Sequence, residues 1–113
     1  LETPHSIARA VLRNETVIAT TTPPTAESVA VAKRELAEGE TIDGLGGFTV
    51  YGFIETAEAA RAGNMLPLGL APGATLTRRV AEGEVITRDA VEVDESLAIV
   101  HLRRLQDMQL GWD

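Results

Sequence analysis

The sequence predicts a small, mainly β domain with short helices at both ends, and three observations carry that prediction. Arg34-Glu-Leu-Ala-Glu-Gly-Glu-Thr-Ile42 returns as Arg78-Arg-Val-Ala-Glu-Gly-Glu-Val-Ile86, with six of nine positions identical. In each copy a short apolar strand leads into a glycine turn and then a β-branched strand, which describes two matched hairpin-like units. Glycine suits such turns because a positive φ costs any residue that carries a Cβ. Between the copies, Phe48-Thr-Val-Tyr-Gly-Phe-Ile54 has the β-propensity of a strand and holds three of the four aromatic residues. Helix signals flank this region at the two ends of the chain.

The elements follow in order. Residues 3–13 read as a helix with Thr3 as N-cap and Pro4 in the first turn, where its missing N–H does no harm. Ile7, Ala8, Val11 and Leu12 make one apolar stripe at helical spacing, and Asn14 is a stop signal. Residues 16–19 read as extended. The run Thr20-Thr-Thr-Pro-Pro-Thr25 is a linker by composition, since its prolines forbid helix. Ser28 to Lys33 is the first strand of the β domain. Thr41-Ile42 opens a second extended piece, and Asp43-Gly-Leu-Gly-Gly47 is a loop. That loop lacks the lysine and Ser/Thr of a phosphate loop and has no Gly-x-Gly-x-x-Gly spacing. The aromatic run 48–54 is expected to form the densest part of the core.

Glu55 to Asn64 is alanine-rich, acidic at its start and basic near its end, which matches a helix dipole, with Gly63-Asn64 as its stop. Met65 to Leu70 is an apolar loop or short strand, residues 71–74 form a tight turn, and Thr75 to Val80 is a strand. Residues 87–93 read as a turn or helical start with an extended end. Asp94 or Ser96 then caps a helix running through Gln109, its stripe formed by Ala98, Leu102 and Leu105 with Ile99 and Met108 at the edge. Trp112, beyond that helix, is expected to pack on a neighbour in this chain or another. The organisation is therefore 1–19 as a helix and extended piece, 20–27 as linker, 28–93 as the β domain, and 94–113 as C-terminal helix and tail.

Composition narrows the function classes. A net charge of −7 with ten scattered basic residues is the wrong sign for a nucleic-acid surface. There is no cysteine, so disulfide and thiol chemistry are excluded from these residues. No apolar run approaches the roughly 18 residues of a membrane helix, and no basic region followed by an apolar region reads as a secretory signal. The chain starts at Leu1 rather than Met, and we expect it to be a piece of a longer polypeptide.

No catalytic set stands out. His5 and His101 are too far apart in sequence to form a zinc pattern. Glu38, Glu40, Glu82 and Glu84 flank the turn glycines, and turn preference and solvation explain them as well as acid–base work does. Arg103-Arg104 reads as a surface pair. Lys33, Arg34, Arg78 and Arg79 are the positive groups nearest the repeated turns and are the candidates for holding an anionic ligand.

The residues 29–40, the segment Asn64-Met-Leu-Pro-Leu-Gly69, the second copy 76–86 and Asp89-Ala-Val91 resemble an SAF domain over residues 28–93. The resemblance implies a β-clip fold, similar to type III antifreeze protein. With Glu2-Thr-Pro-His-Ser-Ile-Ala-Arg-Ala-Val-Leu12 and Asp43-Gly-Leu-Gly-Gly-Phe-Thr-Val-Tyr-Gly52, the chain is similar to the C-terminal part of homoserine dehydrogenase-like oxidoreductases, the group that includes 1-deoxy-D-xylulose 5-phosphate reductoisomerase-like enzymes. That implies a cytoplasmic NAD(P)-dependent parent whose nucleotide fingerprint and catalytic acids lie upstream. It also implies a non-catalytic module with no cofactor or metal of its own. His5 would neighbour the parent's site. The partners implied are the parent's catalytic domain and further copies in a homo-oligomer, with neither nucleic acid nor membrane. SAF-like domains elsewhere imply two alternatives: a module that binds polyhydroxylated sugar acids through the four basic residues above, or a component of flagellar or pilus assembly.

Overall fold

The computed structural model describes residues 2–16 and 22–112. Among them the architecture is mixed α/β, with three α-helices and two small antiparallel sheets of two strands each. The order is α1 (Glu2–Arg13), β1 (Ala26–Ala32), β2 (Val50–Thr56), α2 (Ala57–Ala62), β3 (Thr75–Leu76), β4 (Val91–Glu92) and α3 (Ala98–Leu110), with single 3-10 turns at Leu68–Leu70 and Arg88–Ala90. Helices thus flank the chain at both ends, but more residues lie in helix than in strand. The mainly β expectation is corrected to that extent. No helix of the described residues is long and apolar enough to cross a membrane.

The core is built by the repeat. Leu36 and Val80 are fully buried and pair with each other, each N–H donating to the other's carbonyl at 2.8 and 2.9 Å. Around that pair three further bonds of one repeat have a partner 44 positions away in the other. Gly39 N–H donates to Leu76 O, as Gly83 N–H does to Ala32 O. Leu76 N–H donates to Glu40 O, as Ala32 N–H does to Glu84 O, and Ile42 to Ala74 matches Ile86 to Ala30. These bonds run between the units, while each turn also closes on itself, Glu40 N–H donating to Ala37 O and Glu84 N–H to Ala81 O. The turn glycines Gly39 and Gly83 sit at φ 84° and 78°, the left-handed region for which the sequence supplies glycine. Leu36, Ile42, Val80 and Ile86, at equivalent positions, fill the interior with Leu66, Leu76 and Val50.

Several boundaries differ from expectation. α1 begins at Glu2, so Thr3 lies inside the helix rather than capping it, and Asn14 ends it at φ 54°. Its apolar stripe is uncovered, since Ile7, Val11 and Leu12 are all exposed. Of the extended piece expected at 16–19 only Thr16 lies within the described residues, and of the linker residues 22–27 do. β1 starts at Ala26, so the last two residues assigned to the 20–27 linker belong to a strand. The strand expected over 75–80 is reduced to Thr75–Leu76, with Val80 reached again only by its bridge to Leu36. Asp94 and Ser96 do not cap α3. Asp94 accepts from the Ser96 N–H and hydroxyl in a turn before it, and Leu97 occupies the N-cap with no side-chain bond.

α3 also presents a different face from the one its apolar spacing predicts. Val100 is buried and Arg103, Asp107 and Leu110 are half-buried, whereas Leu102, Leu105 and Met108 are exposed. The inward stripe at i, i+3, i+7 and i+10 runs through an ion pair, and an apolar period does not see ion pairs.

Candidate functional site

The four basic residues named from the sequence are all engaged within the fold. Arg34 pairs with Glu40, and Arg78 pairs with Glu84 at 3.4 Å, the same first-to-seventh contact in each repeat. Their guanidiniums also donate to the carbonyls of Glu35 and Arg79 respectively. Glu40 and Glu84 accept in turn from the N–H groups of Ala37 and Ala81 at 3.0 Å, closing the turn. Arg79 reaches across to Glu35 at 2.6 Å and ties one repeat to the other. Arg34 and the Ala37 N–H hold the Glu40 carboxyl below its ordinary range, as Arg79 does for Glu35. Glu38 and Glu82 are exposed turn shoulders. The structure therefore gives Glu40 and Glu84 a turn-closing role and brings no acid–base pair together from the four glutamates.

Lys33 donates to the Gly47 carbonyl at 2.6 Å and anchors the glycine-dense loop. Asp43 holds the same loop. Its carboxylate accepts from the Phe48 N–H at 2.8 Å and from the Thr49 hydroxyl, which satisfies the buried Thr49. Those bonds hold the Asp43 carboxyl below its ordinary range. A side chain at Gly47 would collide with that carboxylate, so this glycine exists for a close approach inside the protein. His5 is exposed on α1, and His101 is exposed on α3 with Nε2 2.8 Å from the Glu95 carbonyl. Among the described residues no three potential ligands of His, Asp or Glu type gather as a metal site.

Two other features were missed. The first is β2. The aromatic run was expected at the centre of the core, but Phe48 is 83% exposed, Ile54 75%, Phe53 51% and Tyr51 43%. Only Thr49 and Val50 of that run are buried. The reason is position. β2 has β1 on one side, register Ala26↔Thr56 to Ala32↔Val50, and it is the outer strand of its sheet. Lys33 N–H donates to Thr49 O, so hydrogen-bonded pairs alternate through Val31/Tyr51 and Val29/Phe53. The N–H and C=O groups of Val50, Gly52 and Ile54 therefore point away from β1, and none of them meets a backbone partner among the described residues. These four side chains divide between the two faces of the strand, Tyr51 and Phe53 on one and Phe48 and Ile54 on the other, because successive residues of a strand point to opposite sides.

The second is a cleft of about 370 Å³ where α2, the start of β1 and α3 meet. Thr56 caps α2 by accepting from Ala59 N–H at 3.1 Å, and Gly63 and Asn64, the latter at φ 52°, end it, which sets Arg61 and Asn64 on the rim. On the far side Arg103 lies between Glu27 (2.6 Å) and Asp107 (2.9 Å) and locks α3 to β1. Gly111, at φ 72°, turns the chain after α3, and Trp112 N–H donates to Asp107 O at 2.7 Å. This turn lays Trp112 under Arg61, whose guanidinium carbon is 4.3 Å from the ring centroid. The neighbour expected for Trp112 is thus in this chain. Gly111 was the sequence signal for that geometry.

The sequence matches no protein-family model and no curated protein.

Proposed function

We propose that this chain is a non-catalytic β-clip module of SAF type, part of a cytoplasmic NAD(P)-dependent oxidoreductase of the homoserine dehydrogenase-like group, and that it serves as a docking element. The observation that carries the docking role is β2: an outer strand with an open row of backbone donors and acceptors, edged by Phe48, Phe53 and Ile54. A strand of this kind is a template for pairing with another protein surface. Natural edges are guarded by lysine, proline or a bulge, and Val50–Thr56 contains neither lysine nor proline. Support for the β-clip comes from the two-fold exchange of hydrogen bonds about Leu36 and Val80, and support for the parent comes from the sequence resemblance. The surface covering β2 would be the parent's catalytic domain or a neighbouring subunit.

The test is Phe53→Lys combined with Ile54→Lys in the full-length oxidoreductase. The expected result is an unchanged fold by circular dichroism with looser assembly, read as subunit dissociation in sedimentation or as faster proteolytic release of the module. A parent that is a strict monomer, and whose module is released at the same rate with or without the substitutions, would overturn the docking role.

A further inference from the structure

We propose that the cleft between α2 and α3 binds a small organic anion, an oxyanion headgroup attached to an apolar or planar body. The inference is independent of the docking reading and concerns the opposite kind of surface, concave and basic rather than edge-like and apolar.

The argument starts from charge. The chain carries −7 overall, yet four of its nine arginines (Arg61, Arg88, Arg103 and Arg104) line this one cleft against two carboxylates, Glu27 and Asp107. The two carboxylates are already used. Arg103 takes Glu27 and one oxygen of Asp107, and Arg88 comes no nearer to the other oxygen than 3.7 Å, beyond hydrogen-bond reach. Arg104 is held by both oxygens of Glu95 at 2.5 Å.

Two guanidiniums remain. Arg61 is steadied by the Trp112 ring, Arg88 has only its long ion pair to Asp107, and neither guanidinium donates a hydrogen bond to an acceptor among the described residues. A guanidinium offers five N–H donors in a planar fork that matches a carboxylate or phosphate. Stacking on an aromatic ring fixes such a fork in place without using its donors. Met65, Pro67 and Met108 supply an apolar wall beside it. A volume of about 370 Å³ lies in the range of small-molecule sites, which combine apolar walls with a few placed polar groups. The arginines at the repeated turns, by contrast, are each paired with a glutamate of the turns.

Trp112 is the single tryptophan of the chain and lines the cleft, so its fluorescence reports occupancy directly. The full 113-residue chain would be titrated with phenyl phosphate, benzoate, inorganic phosphate and benzyl alcohol, with amide shifts as a second readout. Saturable quenching by phenyl phosphate or benzoate, with shifts centred on Arg61, Asn64, Arg88 and Met108, is expected. Tighter binding of phenyl phosphate assigns a phosphate ligand, and tighter binding of benzoate assigns a carboxylate. Inorganic phosphate should bind more weakly than either, and benzyl alcohol not at all. Arg88→Gln should weaken binding about tenfold or more by removing charge-assisted bonds, while Arg34→Gln leaves it unchanged. No saturable change with any of the anions, or equal binding by wild type and Arg88→Gln, would overturn the proposal. So would benzyl alcohol binding as well as the anions.

Discussion

The two repeats meet at Leu36 and Val80 on equal terms and then diverge. From Leu36 to Glu40 and from Val80 to Glu84 they match in hydrogen bonding, burial and turn conformation. Their strand pairings differ: the second repeat forms only two pairs, Thr75↔Glu92 and Leu76↔Val91. The first forms seven, and the extra length of β2 carries Phe53 and Ile54 into solvent. The second repeat shows what the core requires of each half, namely a short pairing and a glycine turn. The surplus in the first repeat buries Val29 on the β1 side but leaves Phe53 and Ile54 in solvent, and the proposed docking role rests on that exposure.

The comparison can be broken most directly at its axis. Leu36→Ala should cost about 3 kcal/mol and Val80→Ala about 2 kcal/mol, measured as loss of urea stability, because both side chains are fully buried. If one were nearly silent, the two halves would not share a core. The turn glycines give a finer comparison. Gly39→Ala and Gly83→Ala meet no atom within 4 Å, so each should cost only the backbone strain of a positive φ, about 1 kcal/mol, and the two should agree.

Acid should act through carboxyls held low in the folded protein, those of Asp89, Asp94 and Glu95 as well as those around the first repeat. The folded carboxyls of Glu35, Glu40 and Asp43 lie below their ordinary values of 4.5, 4.5 and 3.8 because Arg79, Arg34 with the Ala37 N–H, and the Phe48 N–H with Thr49 favour their charged forms. The unfolded chain therefore binds more protons as pH falls. Their contribution is complete above the unfolded values and is lost as pH drops through the folded ones. The urea midpoint should hold between about pH 7 and about pH 5 and decline below about pH 4.5, with Asp43→Asn flattening the decline. Smallest of all is the bridge between repeats. Arg79→Gln should leave the urea midpoint unchanged within error, since Arg79 and Glu35 are both exposed.

What was legible in the sequence followed from local rules. The repeated Ala-Glu-Gly-Glu turns, the strand after Ser28, the helix after Thr56 and the tight turn at Gly73 each rest on neighbours within a few residues. What was not legible depends on which surfaces meet. β-propensity identifies residues 48–54 as strand, observed as Val50–Thr56, but does not say that the strand is outermost, so Phe48 and Ile54 were placed inside. Apolar period chose Leu102 and Leu105 for the inner face of α3, whereas Arg103 wins that face by reaching Glu27, 76 residues away. The cleft was hidden for the same reason, since Arg61, Arg88 and Trp112 come from three separate segments.

Amide hydrogen exchange along β2 is the most direct test of the docking claim. In the isolated chain the account predicts slow exchange at Tyr51 and Phe53, which face β1, and fast exchange at Gly52 and Ile54, which face outward. In the longer oxidoreductase proposed for it, Gly52 and Ile54 should become protected as well. Equally fast exchange at those two amides in both forms would show that nothing covers the edge and would contradict the account.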